Sequence, residues 1–144
     1  MTETTDDLQP QGRVLSIAGS DSSGGAGNQA DIKAVTALGG YAATAITAIT
    51  VQNTKGVSAV HPVPTDIIAG QIEAVLTDVG ADAIKTGMLA TADVIETVIK
   101  ALDEHGDPII PLVVDPVMVA TSGDRLIDEA AVEAVRDRLL PRAT

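Results

Sequence analysis

The stretch "RVLSIAGSDSSGGAGNQADIKAVTAL", Arg13 to Leu38, decides the fold. It opens with a short β-rich run, Arg13 to Ala18, and passes into a glycine-rich turn, Gly19 to Gly27. Ala30 to Leu38 then reads as an amphipathic helix. Ile32, Val35 and Leu38 are spaced for one face, and Gly39-Gly40 ends it. A glycine turn between a strand and a helix is a common place to hold a phosphate.

Two nucleotide motifs can be tested on this turn. The P-loop requires G-x-x-x-x-G-K-[ST]. Gly19 and Gly24 have the right separation, but Gly25-Ala26 stands where Lys-Ser/Thr is needed. Gly25 to Ala30 fits the G-x-G-x-x-A part of the dinucleotide fingerprint. The acid that should follow about 20 residues later is absent, and Thr47, Ala48, Ile49 and Thr50 stand there. Neither nucleotide motif is complete, and a plain tight turn remains an alternative role.

The same alternation continues downstream. Ala42 to Val51, rich in β-branched residues, predicts one buried strand. Gly56 to Val63 predicts a short extra strand, which Pro62 and Pro64 confine to an edge or lid. A helix is expected from Pro64 or Thr65 to Gly80, with Ile68, Ile72, Val75 and Val79 as its stripe. "ADAIKTG" is the third main strand. Thr91 caps a helix that Gly106 ends. Ile109 to Asp115 is the fourth main strand, and a last helix is stopped by Pro141. Such alternation with near-continuous apolar strands predicts an α/β fold, a mostly parallel sheet with helices on both faces.

Bulk properties narrow the function classes. At 144 residues with 45% hydrophobic content, the chain has the size and substance of one domain. Its 20 Asp+Glu against 9 Lys+Arg argue against nucleic acid and against anionic membrane surfaces as partners. The acidic excess is spread along the chain, as a solvated surface or one adapted to high salt would be. No cysteine is present, so disulfides, thiolate zinc sites and thiol nucleophiles are excluded within these residues. No apolar run is long enough to span a membrane. Residues 1–12 are expected to be a disordered acidic tail without a signal pattern, 13–144 the folded unit, and the location cytoplasmic.

In open parallel sheets, ligands bind outside the carboxyl ends of the strands. That rule selects the glycine loop and Asp31, then Gln52-Asn53, then Lys85 to Met88, then Asp115 to Met118. Asp31 falls on the side of Val35 and Leu38, pointing inward, or is an acid favoured by the helix dipole. Gln52-Asn53 suits reading a heterocycle edge, or ordinary turn chemistry. Met88 suits packing on a flat ring, or filling the core. Lys85 is a phosphate or catalytic contact, or a snorkelling lysine. Asp115 is a carboxylate able to hold Mg²⁺ directly or through water, or a turn residue. His61, between Val60 and Pro62, reads as a surface residue.

"AGSDSSGGAGNQADIKA", "ITAITVQNTKGV", "KTGMLA" and "VVDPVMVATSGDRL" occur in that order. Together they closely resemble the hydroxymethylpyrimidine/phosphomethylpyrimidine kinase family of thiamine biosynthesis, from about Arg13 to Pro141. The resemblance implies the N-terminal part of a ribokinase-like fold. It also implies MgATP-dependent phosphorylation of an aminopyrimidine's hydroxymethyl group and then of the monophosphate. By resemblance, Asp31 and Gln52 contact the pyrimidine, Met88 and Val117 line its pocket, and the loop at Gly19 and Gly25 passes near its hydroxymethyl group. Two departures stand out. Asn28 replaces a usually apolar residue, which predicts a locally more polar helix start. The family's G-T-G-C-type motif, with its anion hole and proposed base, does not occur in these residues. No catalytic residue is therefore assigned, and little or no kinase activity is expected of these residues alone. A pyridoxal kinase-like enzyme and a non-catalytic pyrimidine- or partner-binding remnant are the competing readings. An exposed sheet edge leaves self-association into a homo-oligomer open.

Overall fold

The computed structural model describes residues 9–120, 123 and 125–144. Four strands form one parallel sheet: β1 (Arg13–Ala18), β2 (Tyr41–Ile46), β5 (Ala83–Thr86) and β6 (Leu112–Val114). Their order is β2-β1-β5-β6. Outside it lies an antiparallel hairpin of β3 (Ala48–Asn53) and β4 (Gly56–Pro62). The helices are α1 (Gly27–Ala37), α2 (Thr65–Ala74), α3 (Ala92–His105) and α4 (Glu129–Ala134). The expected α/β architecture is what the chain adopts.

Strand alternation puts Leu15 and Ile17 of β1 on one face of the sheet. They share a core with Ile68 and Ile72 of α2, Val94, Ile95 and Val98 of α3, and Ala131 of α4. Ser16 points to the other face, where α1 packs on β1 and β2. Helices thus cover both faces, three on one and one on the other. Thr91 and Asp128 cap α3 and α4, their side chains accepting from Val94 N and Ala131 N. Gly80, at φ +73°, turns the chain out of the helical segment that begins with α2.

Five expectations need correction. The single strand expected over Ala42 to Val51 is two strands, β2 and β3, broken at Thr47. β2 runs out of partner where β1 ends, at the Ala18–Ile46 pair. There Thr47 N donates to Ala18 O and Thr47 Oγ1 donates to Met88 O, which redirects the chain into the hairpin. The stripe of α1 is not Ile32, Val35 and Leu38. Leu38 is 77% exposed, because the helix ends at Ala37 and Leu38 leaves helical geometry. Ile32 also faces out, and Asn28 and Asp31 face the sheet. β6 is shorter than Ile109 to Asp115. Asp107 accepts from Ile109 N and Ile110 N, a turn that leaves Ile109 84% exposed. The last helix does not stop at Pro141: α4 passes into a wider π-helical turn at Val135–Leu139, and Leu140–Arg142 then tightens into a 3₁₀ turn. Of the expected tail, residues 1–8 lie outside the described residues. Gln11 N donates to Gly39 O and Gly12 O accepts from Tyr41 N, so both belong with the folded chain.

Arg13 joins the start of β1 to the start of β5. Its guanidinium meets Asp82 at 2.8 and 3.0 Å and donates to Val79 O at 2.6 Å. The side-chain hydrogen bonds from Arg13, its backbone N–H and its charge hold the Asp82 carboxyl down to about 2.

Two glycines should respond oppositely to the same change. Gly27 opens α1 at φ +57°, and a Cβ there would collide with the Gly19 carbonyl oxygen. Gly70 sits inside α2 with open space around it. Gly27→Ala is expected to lower stability by about 1–3 kcal/mol. Gly70→Ala is expected to raise it by roughly 0.5–1 kcal/mol. Urea unfolding of both variants beside the parent measures the two shifts.

Candidate functional site

The carboxyl ends of the strands open into a cavity of about 530 Å³. Gly19, Gly25, Asp31, Gln52, Met88, Asp115 and Val117 all line it, as does Lys85. The strand-end rule therefore brings these eight residues to one place, although they come from four separate stretches of chain, while Met118, also selected, packs against the core instead.

The glycine loop is closed by its own anion. Asp21 is 2% exposed. Its carboxylate accepts from Ser23 N and Ser23 Oγ through one oxygen, and from Gly25 N and Ala26 N through the other, at 2.7–3.0 Å. Backbone amides of this kind, at a turn leading into a helix, form the nest that anions occupy elsewhere. Here Asp21 fills it, which is the physical reason this turn is not a phosphate cradle of the nucleotide type. Burial pushes the Asp21 carboxyl up. The hydrogen bonds from the Ser23 side chain and from the Ser23, Ala26 and Gly25 amides outweigh it and hold the carboxyl below its ordinary value.

The loop is also sewn to the hairpin. Ser20 N donates to Ala48 O, Thr50 Oγ1 to Ser20 O, and Ser22 Oγ exchanges hydrogen bonds with the Gln52 backbone. These contacts set Gln52 opposite the loop. One end of the Gln52 side-chain amide lies 3.2 Å from Thr50 Oγ1, and its other end lines the cavity. Met88 is buried against Gly19, where a Cβ would come 2.5 Å from its methyl. Val117 follows a tight turn closed by Val117 N donating to Asp115 O.

Asp31 is held from the sheet side. Ser16 Oγ lies 2.6 Å from Asp31 Oδ2, and Lys85 Nζ lies 3.1 and 2.9 Å from its two oxygens. The ammonium is 3.8 Å from Asp115 Oδ2. Asn28 is not an exposed polar residue. It is 3% exposed, donates to Ala18 O at 2.6 Å, and its Oδ1 lies 2.9 Å from Ser16 Oγ. Sequence reasoning did not assign Asp21, Ser16 or Asn28 to the site, and left Lys85 undecided. For Asp21 a signal existed: Asp followed by Ser-Ser-Gly is Asx-turn chemistry. For Ser16 and Asn28 none did. Among the described residues, no three His, Cys, Asp or Glu side chains gather into a metal-holding group.

A carboxyl held low in the folded state contributes stability that is complete above the ordinary carboxylate value. That stability is lost as pH falls through the lowered value. Asp21→Asn removes this contribution and turns an amide NH₂ toward donors. The variant is expected to lose about 1–3 kcal/mol at neutral pH. Its deficit relative to the parent should shrink on acidification below the ordinary carboxylate range, as the parent's Asp21 protonates. Paired urea titrations from neutral pH into that range check this; a pH-independent gap would contradict it.

The family model for phosphomethylpyrimidine kinase matches residues 21–144. The hydroxymethylpyrimidine/phosphomethylpyrimidine kinase of Mycobacterium tuberculosis is 53% identical over 132 residues, covering 92% of this chain and 48% of that protein. The thiamine biosynthesis bifunctional protein of Geobacter sulfurreducens is 50% identical over 93% of this chain and 27% of its own length. The chain thus spans about half the length, or less, of these relatives. The crystal structure of phosphomethylpyrimidine kinase from Clostridium difficile superposes with a TM-score of 0.83 at 46% identity, covering 91% of this chain and 56% of that one. Staphylococcus aureus pyridoxal kinase in complex with pyridoxal gives a TM-score of 0.78 at 41% identity, over 92% of this chain and 48% of that one. These likenesses bear out the ribokinase-like form of the sheet. On the family match and the shared fold, the chain belongs to the phosphomethylpyrimidine kinase family.

Proposed function

We propose that these residues are the pyrimidine-holding part of a cytoplasmic kinase of thiamine biosynthesis. The kinase phosphorylates 4-amino-5-hydroxymethyl-2-methylpyrimidine and then its monophosphate at the expense of ATP. The observation that carries this is the meeting of Asp31, Gln52, Met88 and Val117 around one strand-end cavity. An aminopyrimidine offers an exocyclic NH₂ donor and ring-nitrogen acceptors. A carboxylate accepts the first, and the Gln52 side-chain amide, which can supply either type of group, serves the second. Met88 and Val117 supply apolar surface for the ring faces. A cavity of about 530 Å³ suits a single-ring ligand and leaves room beside it.

MgATP would supply the phosphoryl group. Asp115 is exposed at the cavity mouth and fits a contributor of one carboxylate to Mg²⁺, an ion usually shared between one or two carboxylates, water and phosphates. Phosphoryl transfer depends on positioning and on charge stabilisation at the moving group. Asp31, Gln52 and the loop at Gly19 and Gly25 serve the positioning. No second glycine-rich strand–helix turn and no cysteine occur in these residues to serve the charge.

The 144-residue chain is therefore expected to bind the pyrimidine and to transfer little or no phosphoryl group. Calorimetry with the pyrimidine and a phosphorylation assay test the two halves of the statement. Asp31→Ala should weaken pyrimidine binding about tenfold or more, the loss of a hydrogen bond to a charged group. Robust ATP-dependent phosphorylation by the chain, or undiminished binding by the variant, would refute it. The likeness to pyridoxal kinase favours a second reading with pyridoxal as ligand. Tighter binding of pyridoxal than of the pyrimidine in the same calorimeter would select that reading.

A further inference from the structure

Four charged side chains line the cavity among the described residues: Asp21, Asp31, Lys85 and Asp115. Asp21 is spent on the loop, accepting from four donors. That leaves two carboxylates facing a ligand and one cation between them. Lys85 Nζ touches both oxygens of Asp31, at 3.1 and 2.9 Å, and lies 3.8 Å from Asp115 Oδ2. Its side chain is 22% exposed, as is that of Asp31, so solvent screens this pair less than a surface pair. The ammonium is also held in place. Lys85 sits on β5 in register between Ser16 of β1 and Val113 of β6. A Cβ on the adjacent Gly87 would come within 3.2 Å of its Nζ.

We propose that Lys85 is a specificity-determining residue of this cavity. By neutralising Asp31, it makes the site take a neutral amino-heterocycle in preference to a cationic one. The ligand class rests on the pyrimidine reading above; the charge argument does not. A carboxylate has about four acceptor positions on its two oxygens. Lys85 uses one on each oxygen and Ser16 reaches Oδ2, so Oδ1 keeps room for one more donor. A neutral exocyclic NH₂ needs no more than that. A ring-alkylated or ring-protonated heterocycle brings a positive charge beside the Lys85 ammonium and is repelled by it. Without Lys85, Asp31 and Asp115 would face the cavity as two uncompensated negative charges, and the preference would invert. A lysine present only to pack its stem would leave the preference unchanged on removal.

The test uses the full 144-residue chain and two probes under mildly alkaline conditions. One is 4-amino-5-hydroxymethyl-2-methylpyrimidine, and the other is its ring-N-methylated, permanently cationic analogue. The parent is expected to bind the neutral probe at least roughly tenfold more tightly than the cation. Lys85→Met should reverse that order, and Lys85→Arg should restore it. Lys85→Gln replaces the methionine variant if the latter lacks the parent's cooperative melt. A parent that takes the cation as readily as the neutral probe overturns the proposal without any variant. So does a Lys85→Met or Lys85→Gln chain that keeps the parent's order. If the parent binds neither probe, the pyrimidine reading fails instead. Lys85 is then judged on the cation alone: uptake by Lys85→Met supports its role, and no uptake overturns it.

Discussion

The carbonyl groups at the carboxyl end of β1 hold the site together. Ile17 O accepts from Gly87 N, where the chain leaves β5. Ala18 O accepts from Thr47 N, where it leaves β2, and from the Asn28 side chain of α1. Gly19 O accepts from Asn28 N at the start of α1. Three successive carbonyls thus fix the exits of two strands and the start of a helix. Buried backbone acceptors must find partners, and here the partners come from α1 and from the chain leaving β2 and β5. Gly27 and Gly87 are glycines because this convergence leaves no room: a Cβ at either would meet the Gly19 carbonyl or the Ala18 side chain.

Above that convergence lies a polar layer between α1 and the sheet, running from Asn28 through Ser16 and Asp31 to Lys85 and Asp115. Layers of this kind are costly to build, since each member needs a partner. The return is orientation. Asp31 is gripped on both oxygens, so its remaining acceptor position points to one place. The glycine loop is ordered by the same logic from the other side, with Asp21 in the position an incoming anion would otherwise take. A loop that carries its own carboxylate does not offer those amides to an incoming anion.

Much of the fold was legible from spacing. The strands at Arg13 and Ala83, the helix cap at Thr91, and the turn at Gly80 are local events, set within a few residues by periodicity, side-chain capping and glycine. The break at Thr47 was not legible, because the β-branched run continues across it. It is imposed by the length of the neighbouring strand and by acceptors at Ala18 and Met88. The inner face of α1 was misjudged for a related reason. Ile32 and Leu38 have the hydrophobicity of a buried stripe, yet the surface beneath the helix offers Ser16 and Lys85. Polar residues match it and apolar ones turn away.

By itself, the sequence determined the alternation of strands and helices, the absence of a complete nucleotide motif, and the family the chain belongs to. The rule that ligands sit beyond strand ends was enough to collect Asp31, Gln52, Met88, Asp115 and Val117. Only the tertiary structure decided what those residues are bonded to. Lys85 and Asp31 stand 54 positions apart and meet because β5 lies beside β1, under α1. Asp115 comes within 3.8 Å of the same ammonium because β6 lies on the other side of β5. Spacing along a chain encodes turns and faces, whereas the partner of a charge depends on which segments the sheet makes neighbours.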